Sequence, residues 1–78
     1  MFKGYTILKS IGVMSDIKGF TKEVNLIQYE GLGKPVIDIR KWDRTPLARQ
    51  GMMKGITLTK DEAKALYEAL SKVDFDKL

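Results

Sequence analysis

Only one stretch of this chain carries a helical signature, and it comes last. Thr59-Lys60-Asp61-Glu62 has the form of a capping box, the Thr59 hydroxyl accepting from the N3 amide while the Glu62 carboxylate reaches back to the cap. Ala63, Leu66, Tyr67, Leu70 and Val73 then recur at helical spacing, which predicts a helix running from this cap to Val73. Everything before it reads as strand and turn. Residues 5–14 are rich in β-branched and apolar side chains and predict a first strand, closed by a turn over Ser15–Gly19. Phe20–Tyr29 alternates, with Val24 and Leu26 on one face and Thr21, Glu23, Asn25, Ile27 and Tyr29 on the other. A third strand over Pro35–Trp42 sets Ile37 and Ile39 opposite Asp38, Arg40 and Trp42, and a fourth spans Met52–Leu58. The expected class is α+β: one four-stranded antiparallel sheet whose apolar face a single C-terminal helix must cover.

With 78 residues the chain has room for one domain, 1–78, and a core that buries roughly 60% of the unfolded surface. It contains no cysteine and no histidine. That removes thiol nucleophiles, thiolate metal sites, the commonest neutral-pH base and the commonest metal ligand. The acidic side chains stand mostly beside lysine or arginine and read as solvated or ion-paired surface groups, not paired catalytic carboxylates. No catalytic residue, metal site or cofactor is expected, and the chain reads as a non-enzyme. Gly31-Leu32-Gly33-Lys34 is too short for a phosphate loop and is followed by Pro35, so it reads as a hairpin turn. No run approaches the ~20 apolar residues of a membrane span. Alternation through Met1–Lys9, in place of an unbroken apolar run, predicts no signal peptide and a cytoplasmic location.

The charge is uneven. Residues 1–58 hold ten Lys/Arg against five Asp/Glu, whereas residues 59–78 hold four against five. Between Lys34 and Lys54 six basic residues face only Asp38 and Asp43, two of the six, Arg44 and Arg49, in a basic loop over 43–51. Such concentration suits a polyanion. If the second and third strands pair, Tyr29, Arg40 and Trp42 share the outer face with Asn25, and Lys22, Lys34 and Lys54 lie around them. Rings amid cations suit single-stranded nucleic acid, because unpaired bases stack on the rings while the cations follow the phosphates. The alternative for Trp42 and Tyr29 is that they cap the edge of the core.

Lys34-Pro35-Val36-Ile37-Asp38-Ile39-Arg40-Lys41-Trp42, followed by Lys54-Gly55-Ile56-Thr57-Leu58-Thr59, resembles the transcriptional coactivator family of positive cofactor four, Whirly-like single-stranded DNA binders with small bacterial members. The likeness covers about residues 20–73. It implies a curved sheet, a C-terminal helix and a homodimer that runs single-stranded DNA along its β-surfaces. By position, Tyr29 matches a base-stacking aromatic, Arg40 the arginine of the Ile-Asp-Ile-Arg strand, Trp42 one of an aromatic pair, and Lys54 the lysine before Gly-Ile-Thr-Leu. Two departures stand out: a single aromatic follows Arg40, and Met52-Met53 replaces a more basic run. Simple alternation groups Lys54 with Ile56 and Leu58, so a place on the DNA face requires a bulge near Gly55.

The expected function is a dimeric single-stranded DNA-binding protein, nucleoid-associated, serving transcription, replication or repair. The alternatives are an RNA-binding module using the same surface and a protein-interaction module for an acidic partner. Dimerisation has its own argument. At ~100° per residue the apolar side chains of the helix span about 200°, wider than the ~100° stripe that one sheet requires. Ala65, Leu66, Ala69, Leu70 and Val73 are the expected twofold interface.

Overall fold

The computed structural model describes residues 4–47 and 51–78. Four strands, β1 (Tyr5–Ile17), β2 (Phe20–Tyr29), β3 (Val36–Asp43) and β4 (Met52–Leu58), form one sheet in sequence order, each antiparallel to the next. The helix α1 (Lys60–Leu70) follows, then a short 3-10 turn over Phe75–Lys77. This is the expected sheet with its C-terminal helix. Arg49, one of the cations of the basic loop, lies outside the described residues.

The first hairpin differs from the expected one. Its turn is only Lys18-Gly19, with φ of 54° and 90°. Positive φ at both central positions is the backbone of a tight type I′ connection, whose twist matches that of the strands it joins. The Asp16 carboxylate accepts from the Gly19 N–H at 3.1 Å, so Ser15–Ile17 can continue as strand. β1 therefore has 13 residues against ten in β2. The surplus is absorbed at three irregularities, where Leu8, Ile11 and Met14 have no partner of their own. Bulges bend a strand and increase its twist.

The bending closes one face on itself. Tyr29 and Trp42 lie at opposite ends of the β2–β3 ribbon, since Trp42 pairs with Thr21, eight residues before Tyr29. In a flat sheet that is ~26 Å at ~3.3 Å per residue. Yet the Tyr5 ring lies 6.2 Å from that of Tyr29 and 5.9 Å from that of Trp42. The face carrying Thr21, Glu23, Asn25, Asp38 and Trp42 is thus deeply concave, and all five side chains are buried. Among described hydrophobic residues only Ile27 and Trp42 are buried.

This inverts the sequence expectation. The apolar face was to be the covered one, but Val24, Leu26, Ile37 and Ile39 are only half-buried. Leu8, Ile11, Met14 and Ile56 are each more than half exposed. The helix meets only β3 and β4 and buries none of its own residues.

The helix begins as the capping box predicts. Thr59 Oγ1 accepts from the Glu62 N–H at 3.2 Å, and the Glu62 carboxylate accepts from the Thr59 N–H at 2.9 Å. It ends earlier than its spacing suggests. Ser71 is the C-cap, and its hydroxyl donates to the Glu68 carbonyl at 2.6 Å, a local bond that competes with further helix. Val73 therefore lies beyond the helix.

Candidate nucleic-acid interface

Two clusters fill the concave face. In the first, Asp38 accepts from one edge of the Arg40 guanidinium, Nε at 2.5 Å and Nη2 at 2.7 Å. The Tyr29 hydroxyl donates to the same carboxylate at 2.8 Å. Arg40 Nη1 reaches across to β4 and donates to the Met53 carbonyl at 2.8 Å. That carbonyl sits where the β3–β4 register slips between Met52 and Gly55, so the guanidinium satisfies an acceptor at the irregularity. Burial, and then the carboxylate it donates to, push the Tyr29 hydroxyl up to about 12. The Arg40 guanidinium is raised chiefly by Asp38.

The second cluster lies at the other end. Arg44 donates to both oxygens of Glu23, Nε at 2.9 Å and Nη2 at 2.7 Å. Its guanidinium carbon stands 4.2 Å from the centroid of the Trp42 ring. Thr21 Oγ1 and Asn25 Nδ2 also donate to Glu23, at 2.5 and 3.3 Å. These bonds, Arg44's foremost, hold the Glu23 carboxyl near 2 despite the opposing effect of burial. Trp42 is 1% exposed, enclosed by the Tyr5 ring edge-on and by Arg44. Its indole N–H finds no acceptor among the described residues.

Glu23 therefore gives the stability a defined acid limb. Its folded pKa is below the unfolded 4.5, so its contribution is complete above 4.5 and is lost as pH falls toward 2. The stability advantage of wild type over Glu23→Gln, from urea unfolding, is expected to shrink by about 2–3 kcal/mol between pH 6 and 2. A pH-independent difference would mean that the carboxylate titrates normally.

The expected site residues divide between the two faces. Asn25, Tyr29, Arg40 and Trp42 do share one face, but it is the enclosed concave one. Asn25 and Trp42 are buried there instead of lying open as an outer face requires, because curvature folds the polar side inward. Lys22 stands on the opposite face, paired in register with Lys41. The bulge anticipated near Gly55 exists, but it lies on the Met52 side. Regular pairing resumes at Gly55, so alternation leaves Lys54 on the face of Lys41 and Ile56. Lys22, Lys41 and Lys54 thus form an exposed row across three strands. Lys34 is exposed in the β2–β3 connection. Glu23 and Asp38, expected at the surface, are ion-paired but buried. Sequence reasoning missed Arg44 and Tyr5. Arg44 follows Trp42 by two positions, the spacing of a shared face; nothing in the sequence locates Tyr5.

A curved antiparallel sheet with one trailing helix, aromatic rings and guanidinium groups on its concave side and a lysine row behind defines a small β-surface binding module. The family profile described as Transcriptional Coactivator p15 (PC4) matches residues 17–69, and the chain belongs to that family. Membership supports DNA binding and a coactivator role. No curated protein matches the chain.

Proposed function

We propose that the chain is a single-stranded DNA-binding protein that works as a homodimer, without enzymatic activity, on nucleic acid in the cytoplasm. The lysine row carries this reading. Like charges directly opposite one another on neighbouring strands destabilise a sheet, and Lys22 and Lys41 are so placed, with Lys54 next in the row. A polyanion turns that cost into a gain by releasing its counterions. The half-buried rings of Tyr5 and Tyr29 favour single strands, since bases stacked within a duplex offer no free face. The dimer is supported by apolar side chains left exposed at both edges of the sheet, Leu8, Ile11 and Met14 on β1 and Ile56 on β4 with Leu66 and Leu70 of the adjoining α1. An apolar surface of that extent calls for a covering partner, and a second copy supplies a matching one.

Sedimentation of the protein with labelled oligonucleotides tests both parts. The free protein should run at the mass of two chains, and single strands should bind more tightly than the duplex. Affinity should fall with salt with a slope of roughly −0.7 per phosphate contact, and Lys54→Ala should lower that slope by about one contact. Equal affinity for duplex and single strand, or a monomer at micromolar concentration, would contradict the proposal. Equal or tighter binding of a matched RNA strand would move the substrate class to RNA.

A further inference from the structure

The second concave cluster resembles a nucleotide site already filled by parts of its own chain. A guanidinium, a flat indole and an indole N–H converge at one end of the ribbon, and each has chemistry that a nucleotide would use. Arg44 presents two N–H groups side by side, the fork that matches phosphate as well as carboxylate. Glu23 occupies both. The Trp42 ring offers a stacking surface, and the Tyr5 ring and the Arg44 guanidinium occupy it. The indole N–H is buried and has no acceptor among the described residues.

We infer that Arg44 and Trp42 form a latent site for one nucleotide of a single strand, held shut by Glu23. In the open form a phosphate replaces the Glu23 carboxylate on Arg44, and a base replaces the guanidinium over the indole. This inference rests on the nucleic-acid reading above and adds a residue to it that opposes binding. The Arg44 side chain is 43% exposed whereas that of Glu23 is 6% exposed. An incoming phosphate therefore reaches the guanidinium from solvent without first entering the concavity. Arg44 also begins the β3–β4 connection, beyond the last β2–β3 pair, Phe20 with Asp43. Its main chain is anchored separately, through its N–H to the Gly19 carbonyl at 2.8 Å. The side chain can thus swing away while the backbone stays in place. Glu23 keeps Thr21 and Asn25 as donors when Arg44 leaves, so the opened carboxylate retains partners.

The chain has one tryptophan, so its fluorescence reports this ring alone. Acrylamide quenching of Trp42 and the affinity for a short oligodeoxythymidylate are to be measured for wild type, Glu23→Gln and Arg44→Ala. Free wild type should be shielded, and the oligonucleotide should change its emission. Glu23→Gln should be more readily quenched without DNA and should bind about tenfold more tightly, the equivalent of one charge-assisted contact no longer contested. Arg44→Ala should also expose the ring, but should bind about tenfold more weakly and with a reduced salt slope. Unchanged quenching and unchanged or weaker binding in Glu23→Gln overturn the inference. If that variant does not fold, wild-type emission decides: a saturating oligonucleotide that leaves the emission of Trp42 unchanged also overturns it. Absence of any oligonucleotide binding by wild type removes the functional reading instead. The quenching of the free variants then still decides whether Glu23 holds the ring closed.

Discussion

Asp38→Ala is expected to cost about 3–5 kcal/mol of stability, the range for removing one partner of a buried ion pair. The carboxylate is 0% exposed and accepts three hydrogen bonds, two from Arg40 and one from Tyr29. Without it, a guanidinium whose side chain is only 13% exposed stays in the concavity with no counter-charge. The Tyr29 hydroxyl loses the Asp38 carboxylate as an acceptor at the same time. For a domain this size each kcal/mol lowers Tm by roughly 4–8 °C, so the variant should be close to unfolding at room temperature. Urea and thermal unfolding measure the loss directly, and Asp38→Asn, which keeps the shape but not the charge, should fall between. A loss under about 1 kcal/mol would mean that the fork of Arg40 and Asp38 does not hold the ribbon together.

Gly55→Ala should be nearly as damaging, for a steric reason. A Cβ at that position would overlap the Cβ of Arg40, directly opposite on β3. It would also lie 2.6 Å from the Ile39 carbonyl oxygen and 2.7 Å from the Arg40 Cα. Two of these obstacles are backbone, so no rotamer change relieves them. β4 must move away from β3, and the Arg40 bond to the Met53 carbonyl goes with it. We expect a loss of about 3 kcal/mol or more, at the upper end of overpacking costs. Gly12→Ala is the control, since a Cβ there meets nothing within 4 Å and should change stability by no more than about 0.5 kcal/mol. Equal effects at the two positions would show that the close approach of β3 and β4 is not what requires glycine.

What the sequence revealed and what it hid divide along local and non-local lines. The capping box at Thr59 and the alternation of β2 and β3 are written within a few residues, and both were legible. So was the sharing of a face by Tyr29, Arg40 and Trp42, which requires only period two and a hairpin. The register of β1 was not. Counting back from the Lys18-Gly19 turn in ideal pairing sets Tyr29 opposite Leu8, whereas three bulges move Tyr5 there. An odd shift exchanges the two faces, so alternation alone cannot assign the β1 side chains. The depth of the concave face was hidden for the same reason. Curvature accumulates over the whole ribbon, and it turned a polar face into the buried one. Trp42 and Asn25 followed it inward, and Arg44, counted at first only as charge, became the lid over the indole.

The spacing of the irregularities in β1 has a consequence for solubility. A long, apolar, β-branched strand at the edge of a sheet is the usual template on which further chains pair without limit. In β1 the regularly paired residues come in runs of only two or three, interrupted at Leu8, Ile11 and Met14. An incoming strand meets a broken row of donors and acceptors and loses step before it has formed a lasting ladder. The same three insertions that curl the molecule therefore also guard it against growing into a fibre.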